Sequence, residues 1–573
     1  MNAPESATEP ATERTVLTGI GVSAGTASGP VAVVTPAVGI DEHEAASIDP
    51  EADGQRVREV LQEVSDSLRA RAEHANSETS KNVLEATATL ATDKGLIRGI
   101  DKELKKGSGV TKAIHEAVEV YAAKLRKLGG YMAERVTDLY DIRDRATARV
   151  RGLPEPGVPE LAQPSVLVAR DLAPAETATL DPELVLGIIT EAGGATSHTA
   201  ILAAQLGIPA AVQVKGIAEA VADARNVALD GSAGEVIVAP SAGDVEELTA
   251  RSERRAAALA GSHGAGATSD GHPVKLLANI GTAEDAKKAA AYDLEGSGLF
   301  RTEFLFLDRD AAPSVDEQTE TYTRVLESFG SRRVVVRTLD AGADKPLSFA
   351  NLGHEDNPAL GRRGLRLSMA RVELIDQQLQ ALANAYRAVG GADLWVMAPM
   401  VATMEETEWF VDRARSHGLP KVGVMVETPA AAVMAERILK VADFASVGTN
   451  DLSQYTMAAD RLQGELAALL SPWQPAVLAM INSTARGGHV NGKSVGVCGE
   501  AGGDPLMALV LVGMGVTSLS MAPGRVSAVR AALHHHSLAT CQEMAQLALN
   551  AQTAAQAREA VLAAADPVVK DLI

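Results

Sequence analysis

Eight short apolar runs recur through the second half of the chain. They lie at Val274 to Ile280, Gly298 to Phe304, Val334 to Thr338, Leu394 to Pro399, Val422 to Glu427, Phe444 to Thr449, Ser494 to Gly499 and Ser518 to Met521. Helical sequence separates most of them. Eight buried strands with helical connections over about 250 residues predict a closed (β/α)8 TIM barrel. Polar residues close these runs: Arg301 and Glu303 at the second, Arg337 and Asp340 at the third, Glu427 at the fifth. Asn450 and Asp451 follow the sixth, and Cys498 and Glu500 close the seventh. A barrel of this kind does its chemistry at the C-terminal strand ends.

The residue types at those ends limit the chemistry. Arg301 and Arg337, joined by Arg363 or Arg461 from loops, form a cluster of positive forks that match carboxylate and phosphate groups. Glu427 and Asp451 end neighbouring strands and suit Mg²⁺, which takes a few carboxylates plus substrate oxygens and water. Structural ion pairing among these same groups is the competing reading. A small ligand bearing both a carboxylate and a phosphate satisfies both halves of the set, and phosphoenolpyruvate fits. Loss of its phosphoryl group leaves an enol that needs a proton at carbon, which the Cys498 thiol can give. The bland alternative for Cys498 is a small buried hydrophobe.

A second constellation stands in the first half, Gly193-Gly-Ala-Thr-Ser-His-Thr-Ala200. The apolar run Val185 to Thr190 before it reads as a buried strand. The residues Ala200 to Leu206 after it read as a helix stopped by Gly207 and Pro209. Paired glycines and a helix start turn several N–H groups toward one anion. A neutral imidazole placed there, that of His198, can accept a phosphoryl group. Thr196, Ser197 and Thr199 can cap the helix or bind phosphate oxygens. The alternative is a Ser/Thr-rich cap with an incidental histidine.

Around this motif, residues 15 to 34 read as a β-hairpin broken by glycines. Glu51 to His74, Ser80 to Leu104, Val110 to Leu128 and Met132 to Val150 have helical periodicity and charged outer faces. β-like sequence resumes after Gly152 to Gly157 and could complete one small α/β domain, with the helical block as its insertion. A charged helix, Asp244 to Leu259, and the Gly/Ser-rich stretch Gly261 to Gly271 read as a connector where motion is possible.

The 573 residues imply two to four domains. A net charge of −21 argues against nucleic-acid binding. No apolar run reaches the ~18 residues of a membrane span. Residues 1–14 are polar, read as a disordered tail and carry no signal-peptide core. Cys498 and Cys541 offer neither a disulfide framework nor zinc spacing, so a reducing, cytoplasmic setting is expected. His534, His535 and His536 read as a solvated polar stretch, and Met397, Met400 and Met404 as packing.

Longer segments carry a family resemblance. Besides the histidine motif they are Phe300-Arg-Thr-Glu-Phe-Leu305, Val336-Arg-Thr-Leu-Asp340, Gly423-Val-Met-Val-Glu-Thr-Pro-Ala430, Gly448-Thr-Asn-Asp-Leu-Ser-Gln-Tyr-Thr456 and Cys498-Gly-Glu500. From about residue 15 to 550 the chain resembles Enzyme I of the bacterial sugar phosphotransferase system. The resemblance implies a Mg²⁺-dependent transferase that moves the phosphoryl group of phosphoenolpyruvate to His198, releases pyruvate, and passes the group to the carrier protein HPr. It also implies that Arg301, Arg337, Asn450, Asp451 and Arg461 bind phosphoenolpyruvate. Glu427 and Asp451 would hold the metal, and Cys498 would donate the proton. The implied architecture is a swivelling α/β phosphohistidine domain (15–44 and 152–243) with an inserted all-α HPr-docking subdomain (45–151). A linker helix and connector (244–271), the barrel (272–540) and C-terminal helices (541–573) follow. A homodimer through the barrel is implied as well. The chain departs from the family at Ala195 and Ala204, where arginine is common. A Mg²⁺-dependent oxo-acid lyase and a non-catalytic HPr-binding regulator are the alternatives.

Overall fold

The computed structural model describes the chain apart from residues 1–13, 37, 42, 74–77, 129–134, 160, 173–179, 182, 195–197, 223, 308, 310, 342–346, 351–352 and 462. The expected tail, residues 1–14, therefore lies almost wholly outside the described residues. The chain divides into two compact units, Met1–Glu253 and Arg254–Ile573.

The first unit holds an eight-stranded sheet and a helical block. Its strands are β1 (Thr15–Thr18), β2 (Ile20–Ser23), β3 (Thr26–Val33), β4 (Ser165–Ala169), β5 (Val185–Thr190), β6 (Ala210–Val212), β7 (Asn226–Asp230) and β8 (Glu235–Val238). Their order is β1-β8-β7-β3-β4-β5-β6-β2. The hairpin expected within residues 15 to 34 does not form. β1 runs antiparallel to β8 and β2 antiparallel to β6, so one continuous run, Thr15 to Ser23, lines both ends of the sheet. The glycines that read as turn breaks are sites of close approach. A Cβ on Gly19 would lie 2.4 Å from the Val212 carbonyl oxygen, and one on Gly21 2.5 Å from that of Ser232. Two apolar clusters flank the sheet, one built on Val166, Ile189 and Leu229, the other on Leu167, Ile188 and Ala203.

The helical block runs Pro50–Glu73, Glu78–Ala91, Lys94–Lys105, Val110–Leu128 and Val136–Val150. Val57, Leu61, Val64 and Leu68 of the first helix pack on Ile100, Ile114, Val118 and Ile142 of the others. The stretch read as one helix from Ser80 to Leu104 is two. Asp93 stops the first and caps the second, accepting from the Gly95 and Leu96 amides at 2.7 and 3.1 Å. A carboxylate at that position satisfies donors that no helical carbonyl can reach. The helix expected from Met132 begins among the described residues at Val136.

The second unit is a closed parallel barrel of β9 (Lys275–Ile280), β10 (Gly296–Arg301), β11 (Arg333–Arg337), β12 (Asp393–Ala398), β13 (Val422–Val426), β14 (Phe444–Val447), β15 (Ser494–Val497) and β16 (Ser518–Met521). β16 pairs in parallel with β9 and closes the ring. Alternation along each strand divides the side chains. Leu276, Val336, Val396, Val424 and Val447 face the helices, while Leu299, Val335, Met397, Met425, Phe444 and Cys498 form a separate inner cluster.

Two expectations for this unit are corrected. The stretch Gly261 to Gly271 is held against the barrel instead of hanging between domains. Ser262 and Thr268 are buried. The Ser262 hydroxyl donates to Ser527 O at 2.8 Å, the Gly264 amide to Asp293 at 2.7 Å, and the Ser269 amide to His536 O at 2.9 Å. The buried Arg530 guanidinium donates to Ser262 O at 3.2 Å. The histidine triplet is not uniformly solvated either. His536 is buried, with Nδ1 2.7 Å from Ala532 O and Nε2 accepting from the Asp566 amide at 2.9 Å. It acts as a peg between helix ends.

Candidate active site

Strand closure brings the C-terminal ends of β10, β11, β13, β14 and β15 to one rim, around a cavity of about 270 Å³. Arg301, Arg337, Glu427, Asn450, Asp451, Arg461 and Cys498 all line it. Arg363, offered by sequence only as an alternative to Arg461, lines it together with Arg461, and Asp340 completes the charged wall.

The charges interlock. Arg337 Nη2 donates to Glu303 Oε1 at 2.7 Å, and its Nη1 lies 3.0 Å from Asp340 Oδ2 and 3.6 Å from Glu427 Oε1. Arg363 Nη1 donates to Asp451 Oδ1 at 3.1 Å, and its Nη2 to Asp340 Oδ2 at 3.2 Å. Arg461 Nη1 stands 3.9 Å from Asp451 Oδ2. Burial pulls the Arg337 and Arg363 guanidinium groups down, but the carboxylates of Asp340 and its neighbours outweigh it and raise both. They stay cationic. Glu427 is pushed up to about 8, first by burial and then by Asp451 and Asp340. The pairing that competed with the ligand-binding reading is thus present, and the same side chains face the cavity.

Glu427 is held from behind. The Met400 amide donates to its Oε2 at 3.0 Å from a left-handed backbone, φ 57°. Such a conformation is costly for a residue with a Cβ and persists only where the surroundings impose it. Nothing in the sequence spacing reveals this, and reading Met400 as mere packing overlooks it. Cys498 is 1% exposed. Burial pushes its thiol up to about 11, so it is a proton-bearing thiol at neutral pH. Its sulfur is 3.6 Å from Val447 O, and Asn279 Nδ2 donates to its carbonyl at 3.1 Å.

The donor set fits a divalent cation. Glu427 and Asp451 are hard oxygen donors on successive strand ends facing one cavity, and Glu427 is a buried carboxylate that a cation would favour in its charged form. Among the described residues no group of three His, Cys, Asp or Glu side chains gathers at ligand spacing. A cation there would take two protein carboxylates and complete its shell from substrate or water.

In the first unit, β5 runs through Gly193, φ 90°, toward the helix His198–Leu206. Ala195, Thr196 and Ser197, and the side chains of His198 and Ala204, lie outside the described residues. Thr199 is buried.

A parallel barrel with arginines, carboxylates and a thiol on its C-terminal rim, in a chain whose other unit starts a helix at a histidine, defines a two-unit enzyme for a small anionic substrate. The comparisons narrow this. The family described as PEP-utilising enzyme, PEP-binding domain, matches residues 259–538, the PEP-utilising enzyme mobile domain residues 161–234, and the PEP-utilising enzyme N-terminal domain residues 18–135. A phosphoenolpyruvate-protein phosphotransferase of Streptomyces coelicolor is 48% identical over 554 residues, covering 96% of this chain and 99% of that one. One of Haloferax volcanii is 40% identical, covering 83% and 86%, and one of Bacillus subtilis 37%, covering 82% and 86%. The chain belongs to the phosphoenolpyruvate-protein phosphotransferase family, the Enzyme I type of PEP-utilising enzyme. The family is metal-dependent. No described helix is long and apolar enough to cross a membrane.

Proposed function

We propose how this chain carries out phosphoenolpyruvate-dependent phosphoryl transfer, the first step of a sugar phosphotransferase system. It is a transferase. Its barrel rim binds phosphoenolpyruvate through Arg301, Arg337, Arg461 and Asn450, with Arg363 as a further fork. The observation that carries this reading is the interlocked set of arginines and carboxylates around the cavity, which presents fixed cationic donors where an anion would sit.

Glu427 and Asp451 hold a divalent cation, which we assign as Mg²⁺; when bound it supplies charge neutralisation for the phosphoryl oxygens. His198 attacks the phosphorus in line. A P–N bond forms as the bond from phosphorus to the enol oxygen breaks, and the enolate keeps the electron pair. The Cys498 thiol then donates its proton to the enolate carbon, and pyruvate leaves. The thiol is suited to this step because burial keeps it protonated until a strong carbon base is present.

His198 belongs to a small α/β domain of residues 15–44 and 152–243 that swivels, and residues 45–151 dock the carrier HPr, which takes the phosphoryl group. The enzyme works in the cytoplasm as a homodimer through the barrel. Incubation with radiolabelled phosphoenolpyruvate and Mg²⁺ tests the core of this reading. An acid-labile, alkali-stable label that needs the cation and is lost in His198→Ala is expected. No label on the parent protein overturns it.

A further inference from the structure

Behind the rim, in the layer between strands and helices, lies a buried polar network with a single direction. Thr302 follows the last residue of β10, and its hydroxyl donates to the carbonyl of Arg337 at 2.8 Å. Gln378, on the helix Val372–Val389, donates from Nε2 to the Thr302 hydroxyl at 3.0 Å and to the Tyr322 hydroxyl at 3.0 Å. Its Oε1 accepts from the Leu339 amide at 2.9 Å. Tyr322, on the helix Val315–Phe329, donates from its hydroxyl to Gln318 Oε1 at 3.1 Å, and Gln318 Nε2 donates to Pro313 O at 3.0 Å.

These groups fix one another's orientation. A backbone amide must meet Oε1 of Gln378, so both Nε2 protons point at hydroxyls. Those hydroxyls must donate onward, one to Arg337 O and the other to Gln318. No alternative arrangement satisfies every member. The layer around it is apolar: Phe300, Val325, Leu326, Val336, Leu379 and Leu382 are all 2% exposed or less. Thr302, Gln318, Tyr322 and Gln378 are no more exposed than they are. Polar groups in such a layer are costly unless completely paired, and a paired set specifies one geometry where packing alone would permit several.

The network bonds to backbone where the chain leaves the sheet. β11 ends at Arg337 and β10 at Arg301, and ladder pairing fades beyond them: the Thr338 amide still reaches Met397 O on β12 at 2.9 Å, whereas the Leu339 amide turns to the Gln378 side chain. The Arg337 carbonyl, the Leu339 amide and Thr302 are held by this network in place of neighbouring strands. Arg301, Glu303, Arg337 and Asp340 branch from those same few residues. We infer that Gln378 and Thr302 are positioning residues for phosphoenolpyruvate recognition, setting the strand-end backbone from which the arginine forks project. This rests on the reading of the rim as the substrate site.

The test measures phosphoenolpyruvate affinity by calorimetry with Mg²⁺ present, in the full chain carrying His198→Gln so that no transfer occurs. Thermal midpoints are recorded in parallel. Gln378→Leu and Thr302→Val are expected to weaken binding about tenfold, the cost of strand ends displaced by a fraction of an ångström. Thr302→Ser keeps the hydroxyl and is expected to bind within about twofold of its parent. Tyr322→Phe cuts the branch toward Pro313 but leaves the strand-end bonds. It should lower the midpoint as much as Thr302→Val while leaving affinity within about twofold. If Gln378→Leu does not fold, the Thr302 pair decides alone. Thr302→Val and Gln378→Leu binding as tightly as the parent, despite lowered midpoints, overturns the inference. Arg301→Gln is the control for the rim itself. If it binds as tightly as the parent, the substrate-site reading fails, and that result is separable from a failure of the network.

Discussion

Removing Arg337 alone would leave Glu303, Asp340 and Glu427 facing one another with their closest cation gone. Those carboxylates lie 2.7, 3.0 and 3.6 Å from the guanidinium, and each is at most 4% exposed. Arg363 still pairs with Asp340, and the Met400 amide still donates to Glu427. Breaking a buried pair by deleting one member costs about 3–5 kcal/mol, because the remaining charge is uncompensated. We expect Arg337→Met to lose about that much stability at pH 8. The pH dependence has a definite sign. Glu427 is already pushed up to about 8 from its ordinary 4.5, although Arg337 pulls it down. Without Arg337 it rises further. A carboxyl raised on folding contributes fully below its unfolded value and loses that contribution as pH rises through its folded value. The deficit of Arg337→Met should therefore be largest at pH 8 and shrink toward pH 5.5. All three tryptophans, Trp395, Trp409 and Trp473, belong to the barrel unit, so urea unfolding followed by their fluorescence reports on that unit by itself. A deficit under about 1 kcal/mol at pH 8, or one that does not shrink on acidification, would refute the claim that Arg337 is the compensating charge.

A Cβ placed on Gly448 would sit 2.7 Å from Met425 Cε and 2.8 Å from Glu427 Oε1. Gly448→Ala should thus displace the proposed metal carboxylate and cut phosphoryl transfer about 100-fold, with the Mg²⁺ concentration for half-maximal rate shifted upward. Unchanged Mg²⁺ dependence would count against the role of Glu427. Both cysteines are buried, and their thiols are pushed up to about 11 for Cys498 and about 12 for Cys541. Neither should react with a thiol reagent in the folded protein at pH 8, and both should react in urea; mass spectrometry of alkylated peptides decides. Asp93→Ala removes the cap of the helix Lys94–Lys105 together with the hydrogen bond from Tyr121 at 2.8 Å. It should lower the stability of the first unit by about 1–2 kcal/mol, read from its calorimetric transition.

The barrel was legible because its strands are buried on both faces. Continuous runs such as Val422 to Val426 can hardly be anything else at that length, and the chain's polarity switches at their ends. The candidate substrate rim followed from that switch, which is why Arg301, Arg337, Glu427, Asp451 and Cys498 could be named as candidates before any geometry. Groups that reach the rim from elsewhere leave a weaker trace or none. Arg363 comes from a loop and could be offered only as an alternative to Arg461, and Gln378 comes from the middle of an amphipathic helix, where a glutamine is unremarkable. Met400 contributes only its backbone amide. The edges of elements were misread where local and tertiary roles of one residue differ. Asp93 ends a helix inside a stretch whose apolar period carries straight through it. Gly19 and Gly21 are spacers between strands and not turns. The Gly/Ser-rich composition of residues 261 to 271 points to a free connector, but its backbone groups find partners on the barrel that no local pattern foretells.

The placement of the run Thr15 to Ser23 bears on how this protein tolerates trimming. That run is the outermost strand at both ends of the sheet order, shielding β8 on one side and β6 on the other. A protease cut or a truncation past Ser23 would uncover two rows of unpaired amides and carbonyls at once. Open edges of that kind recruit strands from other molecules. Shortened forms of the chain should therefore progress quickly from intact to aggregated. Ending the trim at Arg14 or ahead of it should leave the sheet sealed.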